Sequence, residues 1–146
     1  MMREYLQRHI RREARWGRII SLTTVLVYSW NVSYAASKCA LVSYSLSAAQ
    51  EMGKYGVTVN VVCPGVTQTG YITLGNEDQL ATRIPLKRIV QPEDVVDVIA
   101  FLASEQARWL TGQLIYASGG FLMYLNEQCV SGTGWPNNTL HERLYG

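Results

Sequence analysis

The sequence predicts an α/β fold, in which a parallel sheet of about three strands is flanked by helices. The first observation is that strand-like and helix-like segments alternate. Apolar runs at 18–27, 57–63 and 113–117 are separated by segments whose apolar residues have helical spacing. The second is that the first run is apolar on both faces, as is typical of strands inside a parallel sheet. Alternation of this kind predicts βαβ units with right-handed crossovers.

The first predicted element is a helix over residues 2–15, which contains no Gly or Pro. Its apolar and aromatic side chains recur at helical spacing, at Tyr5, Leu6, His9 and Ile10. Six arginines stand against two glutamates in residues 3–18, although the whole chain has a net charge of only +2. Aromatic residues do not alternate with these arginines, so a solvated helix face explains them better than a nucleic-acid partner does.

Three elements follow the Trp16-Gly17 break. A strand rich in Ile, Leu, Val and Thr is predicted over 18–27, and a helix with many small residues from 33 to about 52. Gly53 and Gly56 end that helix, and the second strand, 57–63, stops at Pro64-Gly65. The small residues of the helix permit close packing against a sheet or another helix.

The second half of the chain is predicted as loop, helix, strand and tail. Residues 66–91 look loop-like with one short helix around 77–82, and a loop this long is usually functional, often a lid. Pro92 and the acids after it begin a helix that runs to about Ala103. The third strand covers 113–117, and residues 126–146 are expected to form an irregular tail.

Composition narrows the possible partners and environment. The chain has 146 residues, of which 48% are hydrophobic and 16% charged, which is typical of one globular domain. Its apolar runs fall short of the ~20 residues that a membrane helix needs, and its N-terminus lacks the features of a secretory signal. Its three cysteines show no metal-ligand spacing. We therefore expect a cytoplasmic protein with no bound metal ion and no membrane or nucleic-acid partner.

Tyr34-Ala35-Ala36-Ser37-Lys38 carries the strongest chemical signal. A step of four residues returns to nearly the same helix face, so the phenol of Tyr34 and the ammonium of Lys38 are predicted to share one space. A positive neighbour favours the phenolate, and such a phenol is a competent general acid or base. Any helix can carry this pair by chance, so the flanking sequence decides its meaning.

Five motifs occur in an order that resembles a known family, the short-chain dehydrogenases/reductases. They are the strand 17–24, the Tyr34-x-x-x-Lys38 pair, the strand and Pro-Gly turn 57–65, the helix start 84–94, and the helix and strand 101–120. The match runs from Gly17 to Phe121 and resembles the C-terminal half of these enzymes, most of all the 3-oxoacyl-carrier-protein reductases. It implies a partial doubly wound, Rossmann-like sheet over residues 1–125, with the N-terminal half of that fold absent.

The resemblance also implies roles for individual residues. Tyr34 would act as the acid and base, with Lys38 beside it holding the nicotinamide ribose. The serine position of the family falls on Thr24, but the linker to Tyr34 is about three residues short, so Ser21 and Thr23 stay open as alternatives. The cofactor, NAD or NADP, would contact five positions besides Lys38, namely Tyr34, Pro64, Gly65, Thr67 and Thr69.

Two functional readings follow from the resemblance. One is an oxidoreductase that transfers hydride between NAD(P)H and a small carbonyl or alcohol substrate, with residues 66–91 as a substrate lid. The other is a non-catalytic fragment that serves as an interaction or oligomerisation module, since the family's Gly-rich phosphate loop has no counterpart in this sequence. Both readings allow a homo-oligomer that pairs through the helices 2–15 and 34–52.

Overall fold

The computed structural model describes residues 1–24, 32–70, 72 and 74–121. Within them the elements alternate as the sequence predicts. In chain order they are α1 (Met2–Arg11), β1 (Gly17–Leu22), α2 (Val32–Met52), β2 (Val57–Pro64), α3 (Leu74–Ala81), α4 (Pro92–Ala103) and β3 (Leu114–Ala117). Single 3₁₀ turns follow α2 and α4, at Gly53–Tyr55 and Glu105–Ala107. None of the helices in these ranges is long and apolar enough to cross a membrane.

The three strands form one parallel sheet in the order β1-β2-β3. The central strand, β2, is buried at seven of its eight positions, which explains its nearly continuous apolar sequence. Ile19 of β1 is in register with Val59, and Ile115 of β3 is in register with Val62. The predicted partial, Rossmann-like parallel sheet is confirmed.

The helices cover both faces of the sheet. The side chains of Val57, Val59 and Ile19 pack against α2 and against Leu6 of α1. The side chains at the alternate positions, with Val62 among them, pack against the α4 side. Side chains alternate between the two faces along a strand, so each helix layer buries one set.

This arrangement corrects the expectation that both crossovers are right-handed. Each connection moves one strand further in the same direction across the sheet, yet α2 lies on one face and α4 on the other. Two such connections must have opposite hand, so only one of them follows the usual rule. The segment between β2 and α4, residues 65–91, is long enough to carry the chain to the other face.

The ends of α1 and β1 differ most from the sequence prediction, and the other boundaries differ by at most three residues. Helix α1 ends at Arg11 rather than at residue 15, because Glu13 adopts a left-handed conformation with φ of 52°. Strand β1 ends at Leu22, although the Thr23 amide still donates to the Val62 carbonyl at 2.9 Å. Residues 25–27 of the predicted strand, the tail 126–146 and the domain boundary at 125 lie outside the described residues.

Residues 66–91 are more ordered than a plain loop. Thr67 and Val90 form a parallel bridge that closes the base of the segment, and α3 lies within it. Ile84 and Ile89 are fully buried and, with Leu80, form a small apolar core of their own. The described residues of this segment thus have a small core of their own, and the Leu86 amide donates to the Gly119 carbonyl just beyond β3 at 3.2 Å.

Candidate active site

The candidate site lies at the carboxyl edge of the sheet. Because the strands are parallel, all three end at this edge, at Leu22, Pro64 and Ala117. The amide of Gly65 donates to the carbonyl of Ala117 at 3.0 Å, which joins the ends of β2 and β3. Ligands of open α/β sheets bind outside the carboxyl ends of the strands.

Tyr34 and Lys38 occupy the first two turns of α2 and lie side by side. The Lys38 Nζ is 5.6 Å from the centroid of the Tyr34 ring. The same ammonium donates to the carbonyl of Leu22, the last residue of β1, at 3.2 Å. Tyr34 is 41% exposed, so its side chain is accessible from solvent at the edge where Lys38 meets β1.

The three hydroxyl candidates near the end of β1 have different surroundings. The Thr23 hydroxyl donates to the carbonyl of Lys38 at 3.3 Å, and the Ser21 hydroxyl accepts from Ser45 of α2 at 3.3 Å. Both hydroxyls are thus directed at α2. Thr24 is half-buried and follows Leu22 by two residues, beyond the last paired position of the strand.

The four predicted cofactor contacts from Pro64 to Thr69 begin at the last residue of β2 and continue into the turn that follows it. Pro64 ends the strand, and the Thr67 hydroxyl donates to the Gly65 carbonyl at 3.0 Å. Thr69 is exposed two residues further on. Leu22 and Val62 are register partners, so this turn begins beside the strand end that binds Lys38. The carboxyl edge therefore carries two groups of candidate residues, Tyr34 with Lys38 at the end of β1 and Pro64 with Gly65 at the end of β2.

Sequence reasoning missed Ser118, which is buried against Gly65. A Cβ added to Gly65 would lie 2.8 Å from the Ser118 Cα and 2.9 Å from its Cβ, so only glycine allows this approach. The Ser-Gly-Gly sequence after β3 is the signal that could have indicated a close backbone contact here.

Cys63 lies one residue before Pro64, directly beneath the edge, and is fully buried. Burial raises the pKa of its thiol to about 12, so the sulfur stays protonated at neutral pH. Tyr116 is its register partner on β3, and burial, followed by repulsion from Cys63 in its ionised form, raises the pKa of the Tyr116 phenol. Among the residues with described positions, no group of three or more His, Cys, Asp or Glu could hold a metal ion.

Comparison with known proteins identifies the family to which this chain belongs. The family model for enoyl-(acyl carrier protein) reductase matches residues 1–122. The chain belongs to the short-chain dehydrogenase/reductase family.

Individual relatives support the same assignment. The chain is 39% identical over 115 residues to the 3-oxoacyl-(acyl-carrier-protein) reductase of Buchnera aphidicola, covering 75% of the chain and 47% of that protein. The corresponding enzyme of Rickettsia felis is 40% identical, with coverage of 75% and 48%. The chain thus spans about half the length of the curated relatives that it matches.

Solved structures share the fold. Acetoin dehydrogenase YohF from Salmonella typhimurium superposes with a TM-score of 0.70 at 31% identity, covering 81% of this chain and 48% of that one. A 4-hydroxyisoleucine dehydrogenase complexed with NADH gives 0.76 at 28% identity, with coverage of 84% and 53%. The angucycline C-6 ketoreductase LanV with bound NADP gives 0.68 at 36% identity, with coverage of 75% and 45%.

Proposed function

We propose that this chain carries the chemical site of an NAD(P)-dependent oxidoreductase, which interconverts a small carbonyl compound and its alcohol. The observation that carries the proposal is the position of Tyr34 and Lys38. They lie together at the carboxyl edge, with the Lys38 Nζ 5.6 Å from the phenol ring and hydrogen-bonded to the end of β1. Family membership supports the same reaction class.

In reduction, Tyr34 donates its phenolic proton to the carbonyl oxygen, and in oxidation it takes that proton back. The Lys38 ammonium stabilises the phenolate that remains, because the positive charge lies beside the ring. Thr24 is our choice for the hydroxyl that donates to the substrate carbonyl, since the Thr23 hydroxyl already donates to the Lys38 carbonyl and the Ser21 hydroxyl is directed at Ser45 of α2. Residues 66–91 cover the substrate.

The side chains at this edge fit the nicotinamide end of NAD or NADP, which supplies or accepts the hydride when bound. Lys38 offers an ammonium, and Tyr34, Thr67 and Thr69 offer hydroxyls for the ribose and carboxamide. Pro64 and Gly65 offer a surface with little side chain. The sequence holds no Gly-x-x-x-Gly-x-Gly loop for the pyrophosphate, so the proposed contacts stop at the nicotinamide end and leave NAD or NADP open.

A second candidate function, an interaction or oligomerisation module without catalysis, has its own support. The two helices on one face of the sheet carry exposed large apolar side chains, Tyr5 and Ile10 on α1 and Val32 and Tyr44 on α2. We propose that a homo-oligomer pairs through this surface, which is compatible with either function. Light scattering of the purified chain, with Tyr44→Glu as the disrupting variant, tests the pairing.

Fluorescence titration with NADH and NADPH tests the oxidoreductase proposal. We expect saturable binding that weakens about 10-fold or more in Lys38→Met, because charge-assisted hydrogen bonds are lost. Tyr34→Phe should keep most of the affinity. Lys54→Met is the matched control, since Lys54 is an exposed lysine of the 3₁₀ turn before β2. Absence of binding up to millimolar cofactor, or equal affinity in Lys38→Met, would overturn the proposal.

A further inference from the structure

Thr23 joins three elements at the point where the candidate site begins. Its side chain is buried, and its amide donates to the Val62 carbonyl of β2 at 2.9 Å. Its hydroxyl donates to the main-chain carbonyl of Lys38 in α2 at 3.3 Å. Thr23 thus ties the end of β1 both to the neighbouring strand and to the helix turn that carries Lys38.

Lys38 returns a hydrogen bond to the same strand end. Its Nζ donates to the carbonyl of Leu22, the residue before Thr23, at 3.2 Å. The two bonds run in opposite directions between β1 and α2, one from the strand side chain to the helix backbone and one from the helix side chain to the strand backbone. We call this pair of bonds the strand-end clasp.

We propose that Thr23 is a positioning residue, which holds Lys38 and the first turns of α2 against the end of β1 through the strand-end clasp. This inference rests on the proposed function, because it explains how the lysine of that site is held. A hydroxyl has one proton to donate, and here that proton goes to Lys38, so Thr23 does not donate to a substrate carbonyl. Its contribution to the reaction is therefore indirect.

The clasp fixes both ends of the lysine. The Thr23 bond constrains the Lys38 backbone, and the Leu22 bond constrains the ammonium four methylenes away. A lysine side chain otherwise loses considerable rotamer freedom when it binds a ligand. Holding the ammonium in advance reduces that cost and keeps it beside the Tyr34 ring.

Hydrogen exchange measured by mass spectrometry on the whole chain tests the clasp without substrate or cofactor. In Thr23→Val, which keeps the shape but removes the hydroxyl, amides 36–42 of α2 should exchange about fivefold faster, as expected for one lost hydrogen bond. Thr23→Ser should behave as wild type. Thr58→Val is the matched control, because Thr58 is a buried threonine near the opposite end of β2.

The reciprocal bond gives a second measurement, which also serves if Thr23→Val fails to fold. Lys38→Met removes the ammonium, so the Thr23 amide should exchange several-fold faster while amides of α4 stay unchanged. The proposal is overturned if Lys38→Met leaves the Thr23 amide unchanged. It is also overturned if Thr23→Val and Thr58→Val have equal effects on amides 36–42, or if Thr23→Ser exchanges as fast as Thr23→Val.

Cofactor titration separates this proposal from the proposed function. If the wild type binds NADH or NADPH, Thr23→Val should weaken that binding less than Lys38→Met does. Thr23→Ser, which keeps the hydroxyl, and the control Thr58→Val should both bind the cofactor as the wild type does. If the wild type binds neither cofactor, the proposed function fails, and the exchange data alone still decide whether the clasp exists.

Discussion

At the scale of single residues, burial separates Cys39 from Cys63. Cys39 is exposed on α2, whereas Cys63 is buried under the site with its pKa raised to about 12. We expect iodoacetamide at pH 8 to alkylate Cys39 in the folded protein and to reach Cys63 only after denaturation, because the reacting species is the thiolate. Peptide mass spectrometry reads both sites. Equal alkylation of the two thiols in the folded protein would contradict the described burial.

The contact between Gly65 and Ser118 is a second prediction at this scale. In Gly65→Ala the new methyl would lie 2.8 Å from the Ser118 Cα, which is backbone and cannot move aside cheaply. We expect a loss of about 1–3 kcal/mol in the free energy of unfolding, measured by urea denaturation, because overpacking forces backbone shifts.

Gly53→Ala provides the control for that substitution. A Cβ at Gly53 meets nothing within 4 Å, and its φ is not positive, so alanine should be neutral or stabilise by up to ~1 kcal/mol. If Gly65→Ala and Gly53→Ala lose the same free energy of unfolding, the close contact between Gly65 and Ser118 is not the cause of the loss in Gly65→Ala.

The hydroxyls near the end of β1 show what the sequence could not predict about the site. Helical periodicity is enough to place Tyr34 and Lys38 on one face of α2. The choice among Ser21, Thr23 and Thr24 depends on which of these hydroxyls form hydrogen bonds with α2. The bonds of Ser21 with Ser45 and of Thr23 with Lys38 form only when α2 packs on β1, so the sequence does not reveal them. The Ser118 contact likewise depends on how β2 and β3 end together.

At the scale of elements, the start of α4 predicts a pH dependence. Arg88 forms a two-bond ion pair with Asp94, and the Gln91 amide donates to the same carboxylate at 2.8 Å. The hydrogen bond from Arg88, followed by that from Gln91, lowers the pKa of Asp94 from 3.8 to about 2. The folded pKa is below the unfolded one, so the stabilisation is complete above about pH 4 and is lost as pH falls towards 2.

The corresponding variant is Asp94→Asn. We expect its melting temperature to be below that of the wild type between pH 5 and 7, with the difference shrinking from about pH 4 to pH 2. Asp97→Asn, at an exposed position of the same helix, should change the melting temperature little at any pH. A difference for Asp94→Asn that is as large at pH 2 as at pH 7 would contradict the assigned ion pair.

Element boundaries were predictable where a local signal marks them. Pro92 begins α4 and Pro64 ends β2, both as the sequence predicts. The pairing of β1 ends with Leu22 opposite Val62, two residues before β2 itself ends at Pro64, and no local sequence signal marks that end. Ile84 and Ile89 lie in a stretch whose apolar residues follow neither helical nor strand periodicity, so their full burial could not be predicted.

At the scale of the whole molecule, the sheet brings the chemical groups to one edge. The helices cover the two faces of the sheet, and the described strands β1 and β2 end side by side at its carboxyl edge. The chain spans about half the length of its curated relatives. Whether these residues perform hydride transfer is therefore the question on which the proposed function depends.

The most direct test uses reduced cofactor that carries deuterium at the transferable C4 position, together with a small ketone. Mass spectrometry of the alcohol measures deuterium at the carbinol carbon. The proposed function predicts one deuterium per product molecule with the wild type, and a rate at least about 100-fold lower with Tyr34→Phe, because the general acid is lost. A product without deuterium, or an equal rate of deuterium transfer in Tyr34→Phe, would contradict it.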